Sequence, residues 1–176
     1  MSGTFRVAQI DEAALRAEAK RVLEHVRAIL PPHAEVLEVG SAAVPGVIGK
    51  GDIDLLARAP ESHFLALRNA LDGVFMRNPD QLSNAQYQGY LVPSDFDVAI
   101  QCTVLGGPYD DFEAFLEVLR EDADERAAYN ALKRAWDGLP MDEYRVAKGQ
   151  FVTRVLAKRA ALRGGLEASF VESDQK

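Results

Sequence analysis

At 176 residues, with 48% hydrophobic and 27% charged side chains, the chain has the length of one domain and a near-average globular composition, which excludes disorder of the whole chain. Its formal net charge of −7 argues against a broad surface that tracks the phosphates of long nucleic acid, but a few local cations can still hold a small phosphorylated ligand. A single cysteine, Cys102, rules out an internal disulfide and a thiolate zinc cage, and no stretch approaches a membrane span, so a cytoplasmic protein without a membrane partner is expected.

Apolar residues recur at Leu15, Ala19, Val22, Val26 and Ile29, one stripe of a helix predicted over residues 11–30, with Asp11 as cap and Pro31-Pro32 as stop. Glu35 to Val39 reads as a short strand that ends at Gly40. Gly40 to Gly51 is rich in Gly, Ala and Pro and is predicted as a loop with room for one helical turn. Ile53 to Ala59 is a second strand closed by Pro60, and Phe64, Leu67 and Leu71 give Glu61 to Leu71 helical spacing. Val74–Arg77, Gln86–Val92 and Phe96–Val104 read as three further strands, a hairpin or meander against the earlier ones.

After Gly106-Gly107-Pro108 the pattern turns helical, over Asp110–Arg120, Ala123–Trp136 and Met141–Arg163. The expectation is one α/β domain over residues 1–168: an N-terminal helix, a mixed β-sheet core at 35–104 flanked by helices, and a helical C-terminal third at 110–163. Residues 169–176 have little to pack and are expected to form a flexible tail.

The order strand, Gly40-Ser41, loop, Asp52-Ile53-Asp54 suits a nucleoside triphosphate with a divalent metal. Alternate residues of a strand face the same way, so Asp52 and Asp54 project together, about 7 Å apart at their backbones, while Ile53 and Leu55 point into the core. Mg²⁺ or Mn²⁺ takes hard oxygen ligands and keeps part of its shell for water or phosphate, which two carboxylates and a triphosphate supply. Gly40 permits close approach of the backbone, and Ser41 with nearby amides offers donors to phosphate. Phosphoryl chemistry of this kind wants a third carboxylate, and Asp97, between Phe96 and Val98, is the candidate.

At these residues the chain resembles the nucleotidyltransferase superfamily, whose pattern is Gly-Ser, a variable loop, Asp-x-Asp and a third Asp on a later strand. More narrowly it is similar to the GrpB family, a branch of that superfamily, through Val39-Gly40-Ser41, Val44-Pro45-Gly46, Lys50 and Asp54. The likeness resumes at Phe115 to Leu119, at Tyr129, Leu132 and Lys133, and at Tyr144, Ala147, Lys148, Phe151 and Val152. The resemblance implies a nucleotidyltransferase-like fold, metal on Asp52, Asp54 and Asp97, with Asp97 as third ligand or base, and phosphate at Gly40 and Ser41. It also suggests a basic residue reaching the triphosphate, for which Lys148, Lys50 and Arg145 are candidates. The chain departs from the family in Glu38 and Ala42 around Gly-Ser, and in acidic Asp52 and Asp97 where many relatives carry apolar residues or His.

The function expected from this reading is transfer of a nucleotidyl group from a nucleoside triphosphate to a hydroxyl of an unidentified small-molecule or protein acceptor. The alternative is a module that keeps the fold and binds a nucleotide or partner without turnover. Ser41 lacks the surroundings of a covalent nucleophile, Gly49-Lys50 lacks the Ser or Thr and the following helix of a phosphate-binding loop, and His25, His33 and His63 lack metal-ligand spacing.

Overall fold

The computed structural model describes residues 3–173. Helix α1 (Glu12–Ile29) starts at Asp11, whose carboxylate accepts from the Ala14 amide, and buries Leu15, Ala19, Val22 and Val26 as the apolar spacing requires. Strand β1 (Glu35–Val39) follows, then a single 3-10 turn at Ser41–Ala43, strand β2 (Ile53–Ala59) and helix α2 (Glu61–Asp72). Strands β3 (Met76–Arg77), β4 (Tyr87–Val92) and β5 (Val98–Val104) complete the sheet, and helices α3 (Phe112–Glu121), α4 (Ala123–Trp136) and α5 (Met141–Ser173) complete the described chain.

The strands lie in the order β1-β2-β5-β4-β3. Only β2 and β5 run parallel; the other neighbours are antiparallel, which makes the sheet mixed. Ile53, Leu55, Ala57 and Ala59 of β2 alternate onto one face with Val98, Ile100, Cys102 and Val104 of β5, and α1 and α2 seal that face in one core. On the opposite face Val39 and Leu56 meet Leu116, Leu119 and Tyr129 of the C-terminal helices in a second, smaller core. The three C-terminal helices cover this face over β1 and β2 and leave its β5-β4 half open.

Ion pairs tie the layers at their margins. Arg58 of β2 reaches Glu35 of β1 at 2.7 Å, Asp110 at 3.2 Å and Glu113 at 2.6 Å, joining these two strands to the start of α3. Glu125, buried on α4, receives Arg154 and Lys158 of α5, each at 2.8 Å.

Three of the boundaries that differ from the sequence pattern do so for local reasons. Strand β3 starts at Met76 because the Val74 and Phe75 amides return to the Leu71 carbonyl in the turn that ends α2. Strand β5 starts at Val98 rather than Phe96, because the Ser94 hydroxyl accepts from the Phe96 amide and bends the chain there. Helix α5 reaches Ser173, beyond Arg163, through residues 164–173, which contain no proline to stop it. Of the tail expected over 169–176, residues 174–176 lie outside the described residues.

The segment before α1, for which the pattern suggested no element, is fixed in place. The Phe5 ring stacks on Tyr144 with centroids 3.7 Å apart, and the Ala8 amide donates to the Gly49 carbonyl at 2.9 Å. No helix among the described residues is long and apolar enough to cross a membrane.

Candidate functional site

Where the C-terminal helices end over the sheet, a cleft of about 580 Å³ opens between β2, β5, β4 and the facing sides of α3 and α5. Gly40, Ser41, Lys50, Asp52, Asp54, Asp97 and Lys148 all line it. Every residue singled out from the sequence therefore meets in one place, although the contacts between them were not legible there.

The antiparallel register of β1 and β2 sets Val39 opposite Asp54, so the next residue, Gly40, leaves the strand directly beside that carboxylate. Gly40 adopts φ 76° and ψ −172°, backbone that is essentially reserved for glycine, and a Cβ there would lie 2.5 Å from Oδ2 of Asp54. The glycine of the Gly-Ser pair is thus required twice, for its conformation and for the space that Asp54 occupies.

Asp52 and Asp97 both stand one residue ahead of their strands. They correct the expectation that Asp97 sits within a strand, yet the Ile53 amide donates to the Asp97 carbonyl at 2.8 Å, so the β2-β5 ladder still holds the two acidic residues at adjacent strand entrances. Lys50 joins them, its Nζ 2.7 Å from Asp97 and 3.3 Å from Asp52. Asp97 remains largely open to solvent, which answers the cost of placing a carboxylate beside apolar Phe96 and Val98.

Asp54 lies deeper. Burial first and the neighbouring Asp52 second push its carboxyl up to about 6, against the opposing pull of Lys148 and Lys50. Lys148, on α5, has its ammonium held above the usual lysine range by the Tyr129 phenol beside it, with Asp54 and Asp52 adding to the effect against burial.

The sequence reading missed Lys133 as a site residue. It is 2% exposed, and its Nζ donates to the Ser41 hydroxyl and, at 2.6 Å, to the Ile48 carbonyl, while sitting 4.5 Å from the centre of the Tyr129 ring. Burial, with Lys148 as a second cause, depresses it to about 7 against the pull of Asp52 and Asp54. One turn earlier, Asn130 accepts from the Ile48 amide at 3.0 Å and donates to the Gly46 carbonyl at 2.7 Å. Helix α4 therefore clamps the loop that carries Ser41 and Lys50. The signal was available: Lys133 falls four residues after Tyr129, on the buried stripe, where an unpaired lysine is expensive.

Beyond the carboxylates the open half of the sheet is neutral and polar. The Tyr87 hydroxyl donates to Gln101 and lies 3.2 Å from the side-chain oxygen of Gln81. Phe112, Phe115 and Tyr109 face this floor from the side of α3.

Three carboxylates are the right chemistry for a hard divalent cation, and Asp54 is crowded by Asp52 and Asp97 with only Lys148 and Lys50 pulling the other way. As they stand, however, no three His, Cys, Asp or Glu side chains among the described residues are grouped as a ready-made cation site. The Lys50 ammonium takes up the space between Asp52 and Asp97.

The chain as a whole is similar in sequence and in fold to known proteins. The sequence profile described as GrpB protein matches residues 6–158. A UPF0157 protein of Vibrio cholerae is 30% identical over 135 residues, which cover 74% of this chain and 70% of that protein. The crystal structure of the conserved protein GrpB from Enterococcus faecalis superposes with a TM-score of 0.64 at 18% identity, over 83% of this chain and 94% of that one. A cytoplasmic RNA terminal U-transferase gives a TM-score of 0.47 at 18% identity, over 73% of this chain and 38% of that one.

Proposed function

The chain belongs to the GrpB family, and from that premise we propose that it is a metal-dependent nucleotidyltransferase, moving a nucleotidyl group from a nucleoside triphosphate to a hydroxyl of a small-molecule or protein acceptor. The observation that carries this reading is the meeting of Gly40-Ser41, Asp52, Asp54, Asp97 and Lys148 in one cleft.

In this reading the triphosphate lies along the Gly40-Ser41 corner, where the Ser41 hydroxyl and adjacent amides face its oxygens and Lys148 and Lys50 balance its charge. Asp52, Asp54 and Asp97 would hold Mg²⁺ or Mn²⁺, which would neutralise charge on the phosphoryl oxygens. The acceptor oxygen bonds to the α-phosphorus, the bond from that phosphorus to the bridging oxygen breaks, and pyrophosphate leaves with the electron pair. Asp97, exposed at the edge of the cleft, takes the acceptor's proton. Burial of Lys133 keeps water out of the layer beneath the phosphates, which strengthens the field there. A cleft of about 580 Å³ suits one nucleotide with a small acceptor or a single protruding side chain, in keeping with the acidic surface.

The test is incubation of the purified protein with α-labelled nucleoside triphosphates, Mg²⁺ or Mn²⁺ and acceptor mixtures, beside Asp54→Asn. Label should move to an acceptor with the wild type and not with the variant; no transfer together with no nucleotide binding sinks the reading.

The Lys50 ammonium seated between Asp52 and Asp97, in the space a cation would need, favours a second reading, a module that binds nucleotide without turnover. There Asp52→Asn would leave nucleotide affinity in metal-free buffer nearly unchanged, and no product would form with any metal.

A further inference from the structure

Lys50 occupies an unusual position for a residue meant to meet phosphate. Its ammonium lies 2.7 Å from Asp97 and 3.3 Å from Asp52, two of the three carboxylates that the proposed function assigns to a cation. We propose that Lys50 competes with free divalent cations for Asp52 and Asp97, and yields its place only to a cation that arrives with a triphosphate, so that the cleft takes metal and nucleotide as a pair. The inference rests on the nucleotidyltransferase reading and specifies which form of ligand that site admits.

The backbone around Lys50 is fixed on both sides. Before it, the Gly49 carbonyl accepts from Ala8 and the Ile48 carbonyl from Lys133; after it, Gly51 holds φ 85° with the Ile10 side chain against its α-carbon. The exchange is therefore a rotation of one long side chain and needs no loop movement. Lys50 is 37% exposed and Asp97 65%, and ion pairs so open to water are individually weak. A metal–nucleotide complex can break them.

Free cation and metal–nucleotide complex differ in what they offer the displaced lysine. A bare divalent ion takes both carboxylates from Lys50 and leaves its ammonium repelled beside the new charge. A triphosphate supplies anionic oxygens within reach of the same side chain, so Lys50 exchanges one set of anions for another. Metal and nucleotide affinities are coupled as a result, and each raises the other by the same factor.

The experiment measures Mn²⁺ binding by the full chain, through the EPR signal of free Mn²⁺, for wild type, Lys50→Met and Lys50→Arg. Thermal unfolding confirms that each variant is folded. Without nucleotide, Lys50→Met is expected to bind Mn²⁺ at least about fivefold more tightly than wild type, the lower range of a real coupling, whereas Lys50→Arg keeps the weak wild-type affinity. A saturating non-hydrolysable ATP analogue should close the gap between wild type and Lys50→Met. Equal Mn²⁺ affinity of wild type and Lys50→Met without nucleotide overturns the proposal, as does a gap that the analogue leaves unchanged or a failure of every form to bind Mn²⁺. Failure of the underlying function reads differently: the wild type would bind no nucleotide, while the comparison on Mn²⁺ alone would still report whether Lys50 competes.

Discussion

The Asp54 carboxylate lies directly against the α-carbon of Gly40, where an added Cβ would stand 2.5 Å from Oδ2. Gly40→Ala therefore imposes both a forbidden backbone conformation and an overlap with a half-buried charge, and is expected to destabilise the fold by about 2 to 4 kcal/mol. Gly46→Ala is the control: φ is 83° there too, but the nearest atoms belong to the flexible end of Arg126, 3.8 Å away. That variant should lose only about 1 kcal/mol. Urea denaturation of the two variants checks the difference, and equal losses would show that the approach of Asp54 to Gly40 carries no penalty.

Asp54 also predicts a pH dependence. Its carboxyl rises from the ordinary 3.8 to about 6, so between those values the folded protein holds a proton that the unfolded chain has released. The stability this group contributes is full below pH 3.8 and is lost as pH climbs through 6. Asp54→Asn removes the buried negative charge. It should stabilise the protein by on the order of 1 to 2 kcal/mol at pH 8, below the ceiling a two-unit shift allows because the side chain touches solvent, and give no gain at pH 4. Thermal unfolding at the two pH values reads the contrast. A residue whose removal stabilises the fold while abolishing metal-dependent nucleotide binding is held there for chemistry rather than structure.

Glu125 behaves in the opposite sense. Arg154 and Lys158 hold its carboxyl down at about 2, so its contribution is present above the ordinary 4.5 and is lost as pH falls through about 2. Glu125→Gln should cost roughly 1 to 2 kcal/mol at pH 7, discounted because both partners are about half exposed, and the difference from wild type should shrink below pH 3. The denaturation midpoint followed through the fluorescence of Trp136 measures it. Nucleotide affinity should stay unchanged, since this pair fastens α4 to α5 away from the cleft.

The contrast between Asp54 and Lys133 shows how much of the site the sequence disclosed. Asp54 was legible because its neighbours are local: alternation in β2 sends Ile53 and Leu55 to the core and the acidic residue to the other face. The sheet was legible for the same reason, its strands being short apolar runs bounded by Gly, Pro and Ser. Lys133 was marked locally by its place on a buried stripe, but its partner Ser41 stands 92 residues earlier, and no periodicity carries information over that distance. The pairing of Lys50 with Asp97 was hidden in the same way, since it requires β2 and β5 to be parallel neighbours across 47 residues and an intervening hairpin. The start of β5 at Val98 was missed because the side chain of Ser94 competes for the Phe96 amide, a contact invisible to hydrophobic patterning.

Lys133 supplies the prediction that connects the buried layer to ligand binding. Burial depresses it from 10.5 to about 7, so above pH 7 the folded protein gives up a proton that the unfolded chain keeps, and the stability this group contributes falls as pH drops from 10.5 towards 7. A triphosphate arriving at Ser41 brings negative charge next to the lysine hydrogen-bonded to that hydroxyl, and returns it towards its ordinary value. Nucleotide binding at pH 8 should therefore take up a fraction of a proton. Asp54, at about 6, is already ionised at that pH and adds little to the exchange. Calorimetric titration in buffers of different ionisation enthalpy measures the uptake directly. Lys133→Met should abolish it and weaken nucleotide binding roughly tenfold, equivalent to about 1.4 kcal/mol, through loss of the contact that orients Ser41. Proton uptake that persists in Lys133→Met would place the responsive group elsewhere in the cleft and leave Lys133 as a clamp on the Ile48 carbonyl alone.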